Sequence, residues 1–260
     1  MPLVSIITPT QAHNADHIDA VWRSIAEQPL PAGWELEWVV QEDGTAPAVG
    51  DRLPADRRIR YDALGVQVGS PSTRNHALAR ARGEVIAGMD HDDWYEPGGL
   101  TALLQALVDA PDVAWSCGRC VWVMEDSSTW MKDDVLPAGR VAAGAVTDHF
   151  LAHDDFPFPA AVTAFRRAHL LAHGGWPAVA RSTDAILVAA FSDRWDGWWI
   201  DSTVAAYRRW PAQKTVQPQD WQIRDLPHVR GIVAQRREAE AALRRCVAVP
   251  PPGPDGPRGA

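Results

Sequence analysis

The stretch GEVIAGMDHDDWYEP, Gly83 to Pro97, runs from an apolar segment into three aspartates, Asp90, Asp92 and Asp93, set around one histidine, His91. Crowded carboxylates cost stability unless something positive neutralises them. One reading is a solvated turn capping a helix that begins at Gly98. The other follows from spacing: two carboxylates two positions apart, directly after a buried-type strand, can point into one crevice and hold a hard divalent cation through oxygen. A calcium loop of the helix-loop-helix type is excluded, because its third acidic position would fall on Trp94 and its glycine on Tyr95. Magnesium or manganese fits better. Such ions keep waters and take substrate phosphates as remaining ligands, so the pattern implies a phosphate site completed by its substrate.

The segments around this stretch alternate between strand and helix patterns. LVSIIT is a β-branched run ending at Pro9, and HIDAVWRSIAEQ places Ile18, Val21, Trp22 and Ile25 at helical spacing. Glu35 to Gln41 reads as a strand that breaks at Asp43-Gly44, and RIRYDAL as a third. PSTRNHALARARGE predicts a helix with its N-cap at Ser72 or Thr73, closed by Gly83. EVIAGM is the fourth strand and GGLTALLQALVDA the helix after it. The alternation predicts an α/β fold with a mainly parallel central sheet flanked by helices. Ligands bind at the carboxyl ends of such strands, and Thr8 to Thr10, Asp43, and Asp90 to Asp92 all fall there.

Beyond residue 112 the pattern is less regular. Val113 to Met124 reads as a strand, followed by an acidic loop-rich region, a helical pattern around STDAILVAAFSDRW and a strand-like STVAAYRRW. The tail from Pro250 is proline and glycine, cannot build a core and is expected to be disordered, which leaves residues 1–249 as a single domain.

Composition narrows the function classes. The 260 residues are 46% hydrophobic, enough for one large core, and the formal charge of -8 argues against a nucleic-acid groove. Lys132 and Lys214 are the only lysines, so arginine carries the positive charge, and arginine suits bidentate phosphate contacts. The apolar start stops at Pro9 without a basic leader, and no segment reaches transmembrane length without a charge. With three cysteines, too few for a disulfide framework, a soluble cytoplasmic protein is expected. The CGRC pair reads as structural, His149/His153 and His169/His173 as packing or surface residues, and most of the thirteen tryptophans as core, with one or two lining an acceptor cleft.

VSIITPT, VVQEDGT, STRNHALARARGEVIAGMDHDDWYEP and HGGW, taken together and in this order, resemble the inverting family 2 glycosyltransferases of GT-A fold, over roughly residues 3–210. That resemblance implies a nucleotide-diphosphate sugar donor, a UDP-sugar first among them, a divalent metal (Mn2+ or Mg2+), and transfer with inversion to an unknown acceptor's hydroxyl or amine. It implies a nucleotide-sugar-binding half, 1–112, and an acceptor-binding half, 113–249. Carried over by motif, Pro9 and Thr10 would line the base and ribose pocket, and Asp43 would read the base by accepting an imide N–H. Arg74 and His91 would belong to the donor pocket. Asp90 would sit near ribose and metal, and Asp92 would bind the metal that stabilises the departing diphosphate. The family's base is an acid on a helix after a GG turn. Asp184 stands there, with Asp154 and Asp155 in reserve. Set against these roles, Arg74 reads equally well as an ordinary helix-start arginine, and Asp184 as an acid in a first helical turn. Two positions depart from the family: Thr183, where relatives have a glutamate, and Trp210, where many have a histidine, leaving Arg208 or Arg209 to meet the diphosphate. These departures keep a second class open, a non-catalytic protein binding a nucleotide sugar or a partner on the same scaffold.

Overall fold

The computed structural model describes residues 1–159, 162–179, 181–209 and 225–248. β1 (Leu3–Thr10) is buried from Val4 onward, its polar Ser5, Thr8 and Thr10 included, because it lies inside the sheet with a strand on each side. It pairs in parallel with β2 (Glu35–Glu42) on one side and β4 (Val85–Gly88) on the other, and β3 (Ile59–Ala63) adds in parallel outside β2. The helices between them, α1 (Ile18–Ala26) and α2 (Ser70–Arg80), complete the crossovers that parallel strands need. α1 buries Ile18, Val21, Trp22 and Ile25, the residues its periodicity marks.

α2 departs from expectation at both ends. It begins at Ser70 with Gly69 as N-cap, not at Ser72 or Thr73, because Gly69 has a φ of +85° that suits glycine and Pro71 falls in the first turn. Thr73 lies inside that turn, its hydroxyl donating to the Gly69 carbonyl at 2.9 Å. The helix ends at Arg80, and Gly83 does not close it. Gly83 instead lets the chain cross against β1, where a Cβ would sit 2.6 Å from the Ser5 nitrogen.

After the aspartates come β5 (Trp94–Tyr95) and α3 (Gly99–Asp109), then β6 (Trp115–Val123), β7 (Thr129–Met131), β8 (Gly139–Val141) and α4 (Ala145–His153). β9 (Ala164–Arg166), α5 (Arg167–His173), α6 (Thr183–Ser192), β10 (Gly197–Arg208) and α7 (Leu226–Ala248) follow. The sheet runs β3-β2-β1-β4-β9-β6-β10-β5. The expected α/β architecture is present: the strands are parallel from β3 to β4 and again between β6 and β10, while β9 joins the two sets antiparallel to both neighbours. β10 is longer than its sequence pattern suggested, and its end pairs with β5, Ala205 opposite Tyr95 and Ala206 opposite Trp94. That pairing brings the second half of the chain against the Asp90–Asp93 loop.

α7 has no counterpart in the sequence reading. It packs Val229 and Val233 with Phe150, Ile186 and Ala189 in a small second core. The main core extends from Val4 to Ala205 and includes Trp22, Trp38, Trp115, Trp176 and Trp199, with Trp34, Trp195 and Trp198 partly buried against it, while Trp130 is exposed. Cys117 and Cys120 are buried and free, and the His149/His153 rings lie 4.6 Å apart while His169 and His173 pack edge-on against Trp195. Among the described residues no helix is long and apolar enough to cross a membrane. The tail from Pro250, Trp210 and Trp221 lie outside the described residues.

Candidate active site

Parallel register sets the site. Thr10 lies opposite Glu42, so β1 and β2 end together, while β4 ends at Gly88, opposite Ile7, and all three parallel strands release their chains at the same edge of the sheet. The Asp43 N–H donates to the Thr10 carbonyl at 2.9 Å, joining the first two loops.

Asp43 is buried, and its carboxylate accepts the backbone N–H groups of Val68 (2.6 Å) and Gly69 (3.1 Å) and the amide of Gln11 (3.2 Å). It thus holds the turn that starts α2, which explains the early N-cap. Gln11 went unmarked in the sequence, although it directly follows the TPT motif. The Thr10 hydroxyl is buried without a partner among the described residues.

Arg74, 6% exposed, rises from the first turns of α2 and makes the central contact. Its Nη2 donates to Asp90 Oδ1 at 2.6 Å and lies 3.5 Å from Asp184 Oδ2, while Nη1 donates to Ser70 Oγ at 2.5 Å. One guanidinium therefore joins the loop after β4 to the first turn of α6. Asp184 also accepts the Trp176 indole N–H at 2.7 Å. Burial, with the charge of Asp90 behind it, holds the Asp184 carboxyl above its ordinary range, against the opposing pull of Arg74 and Trp176.

Asp92 and Asp93 are buried, and His91 Nε2 lies 3.9 Å from Asp92 Oδ1. Burial pushes the His91 imidazole below its usual value in spite of Asp92 and Asp90. Asp93, which the sequence reading gave no role, is a joint between the halves. Its Oδ1 accepts the Arg208 N–H at 2.9 Å, and Arg208 Nε donates to the Asp92 carbonyl at 3.1 Å with its guanidinium 5.2 Å over Trp94. Burial first, then the charges of Asp90 and Asp92, push Asp93 well above the carboxylate range. The loop thus concentrates negative charge that a cation would relieve. Among the described residues no three His, Cys, Asp or Glu side chains close around one point. Two carboxylates, with water and a ligand's phosphate oxygens to complete the set, suit magnesium or manganese.

The reserve acids lie elsewhere: Asp154 pairs with Arg230 and Asp155 with Lys132, and neither shares a partner with the Arg74 group. Thr183 is buried beside Asp184. The Arg209 N–H donates to the Val123 carbonyl at 2.8 Å.

The family model described as Glycosyl transferase family 2 matches residues 5–169. TuaG of Bacillus subtilis (strain 168), named for a proposed role as a teichuronic acid biosynthesis glycosyltransferase, is 34% identical over 111 residues, 42% of this chain and 43% of its own length. The chain spans less than half the length of the curated relatives it matches. Among solved structures, S. aureus TarS 1–349 in complex with UDP-GlcNAc aligns with a TM-score of 0.68 at 17% identity, covering 91% of this chain and 66% of that one. The mannosyltransferase PcManGT from Pyrobaculum calidifontis, in complex with GDP-Man and Mn2+, aligns at 0.58 and 16%, covering 96% and 81%. At such identities the likeness establishes the fold, which is of GT-A type.

Proposed function

The chain belongs to glycosyl transferase family 2, and from that premise we propose that it moves a sugar from a nucleotide-diphosphate sugar to an acceptor hydroxyl or amine, with inversion at the anomeric carbon. The observation that carries this reading is Arg74, which ties the donor-side acid Asp90 and the candidate base Asp184 into one crevice. The donors held by TarS and PcManGT, UDP-GlcNAc and GDP-Man, support the donor class, and a UDP-sugar is the first choice.

Pro9 and Thr10 wall the nucleoside, with the unpartnered Thr10 hydroxyl free to bond to it. Asp43 already accepts three hydrogen bonds, and a carboxylate has about four lone-pair sites, so one remains for a base N–H. His91, whose imidazole burial holds below its usual value, flanks the diphosphate beside Asp92. Asp90 and Asp92 would hold Mn2+ or Mg2+, which when bound supplies positive charge for the departing diphosphate. Asp184 takes the acceptor proton as the acceptor oxygen or nitrogen bonds to the anomeric carbon and the bond to the diphosphate breaks. Its raised proton affinity makes it the stronger base. In this reading residues 1–112 serve the donor and 113–249 the acceptor, in the cytoplasm.

The test is nucleoside diphosphate release from a panel of UDP- and GDP-sugars with Mn2+, with and without candidate acceptors. Turnover of one donor, abolished by Asp184→Asn, supports the reading. Calorimetric donor binding without turnover under any condition replaces it with the non-catalytic alternative.

A further inference from the structure

The HGGW motif marks the turn before α6, yet the reaction as described leaves unexplained why two glycines and a tryptophan stand there. Gly174 and Gly175 adopt φ of +94° and +72°, left-handed values that glycine tolerates without strain. A Cβ on Gly175 would lie 2.3 Å from Asn75 Oδ1. The close approach lets Asn75 grip the turn twice: its Nδ2 donates to the Trp176 carbonyl at 2.9 Å, and its Oδ1 accepts the Trp176 N–H at 2.8 Å. Trp176 is 4% exposed, so its ring is fixed by packing, and its indole N–H ends on Asp184. Asn75 directly follows Arg74 on α2. Adjacent residues of one helix thus hold both oxygens of Asp184, Arg74 at Oδ2 and Asn75, through Trp176, at Oδ1.

We propose that Asn75 and Trp176 are positioning residues that aim the Asp184 carboxylate at the acceptor, an inference resting on Asp184 as the base. A tie between α2 and the turn needs only the two backbone bonds. The indole N–H on a half-buried acid, which water could otherwise solvate, serves orientation. A general base misplaced by about 1 Å can lose up to a hundredfold in rate.

Trp176→Phe keeps the packing and removes the N–H. With the donor found in the panel, it should lower kcat about tenfold while donor affinity and Tm stay near wild type. Asn75→Ala should lower kcat comparably, and little further when added to Trp176→Phe, because both act along one path. If Asn75→Ala does not fold, Asn75→Ser stands in its place. A readout independent of turnover is the Trp176 indole proton resonance, identified by its loss in Trp176→Phe. It should lie downfield of solvent-exposed indoles and move upfield in Asp184→Ala and in the Asn75 variant. Wild-type kcat in Trp176→Phe, with Asp184→Asn inactive, overturns the positioning role and leaves the base standing. Full transfer by Asp184→Asn overturns both. Additive losses in the double variant, or a resonance unmoved in Asp184→Ala, overturn the path through Trp176.

Discussion

In the β3-β2-β1-β4 half the buried strand carboxylates Glu37 and Glu42 are tied off by the chain itself, whereas in the β6-β10 half charges pair near the surface and several polar atoms beneath them lack partners among the described residues. Glu37 accepts the Ser5 hydroxyl at 2.7 Å and Arg82 through both its N–H and its side chain, and Glu42 accepts Ala48 N–H, Val49 N–H and the Tyr61 hydroxyl at 2.8, 2.9 and 2.6 Å. Across the sheet, Arg140 pairs with Asp112 and Asp196 and Arg119 with Asp134 and Asp201, exposed pairs that contribute little. Both ring nitrogens of His173 and the Trp199 indole are buried without a partner there. The β3-β2-β1-β4 half is therefore a preassembled frame. Its one such unpartnered atom is the Thr10 hydroxyl, which sits at the crevice. Substitutions in the frame should cost stability, and those at the seam, where Arg74 joins the halves, should cost turnover.

The largest effect lies at the seam. Asp184→Asn keeps the size and some hydrogen bonding but not the basicity, so kcat should fall about a hundredfold to ten-thousandfold with donor affinity unchanged. Nucleoside diphosphate release and calorimetry on the same variant measure both. A comparable loss of donor affinity would mean that the seam belongs to the donor frame.

Within the frame, Glu37→Ala should destabilise by about 2 kcal/mol, because it leaves the buried Ser5 hydroxyl without its acceptor and removes the partner of the Arg82 N–H. Arg140→Ala, in the other half, should leave stability close to wild type, because its ion pairs are solvent-exposed. Urea unfolding of the two variants compares the halves directly, and equal losses would erase the distinction.

A third test addresses the negative charge that the frame leaves open. Nucleoside diphosphate affinity should drop at least about tenfold when EDTA replaces Mn2+, since diphosphate must approach Asp90 and Asp92. Asp92→Asn should weaken binding likewise while leaving Tm near or above wild type, through relief of repulsion. Calorimetry and thermal unfolding report the two quantities, and metal-independent affinity would remove the cation from the site.

The β3-β2-β1-β4 half was legible because its information is local. Strand ends, the Asp43-Gly44 break and the Asp90–Asp92 spacing all lie within short windows, and the parallel register then brings them together. What escaped the sequence depends on partners far along the chain. Asn75 meets Trp176 across 101 positions, and Asp93 meets Arg208 across 115. β5 is two residues long and exists by pairing with β10. α7 was missed because its charged sequence shows no wide apolar stripe: Val229 and Val233 are buried on a surface made by α4 and α6, with Leu226 and Ile232 partly buried beside them. Gly83 was misread as a helix end because a glycine needed for close approach looks the same as one needed for a left-handed cap.

The smallest effect separates the halves by pH. Burial pushes His173 down to about 4, with Arg236 and Arg194 acting in the same direction, while Phe191 and Trp195 pack edge-on against its ring. The unfolded chain binds that proton near 6.5 and the folded chain does not, so this contribution to stability is present above about pH 6.5 and lost as pH falls towards 4. Asp93 has the opposite sign: its folded-state proton affinity is raised, so the folded chain gains stability as pH falls towards the ordinary carboxylate value. His173→Leu should remove the acid-labile component, reducing the stability lost between pH 7 and pH 5 by about 1 kcal/mol once solvent screening of this half-buried ring is allowed for. Asp93→Asn, which retains an oxygen for the Arg208 N–H, should remove the opposing gain and steepen the same loss. Thermal unfolding of wild type and both variants across pH 5 to 7 reads the two slopes. If the variants shift the slope in the same direction, the crevice and the α5–α6 packing do not oppose each other, and the separation of the halves by their buried polar groups fails at its most sensitive point.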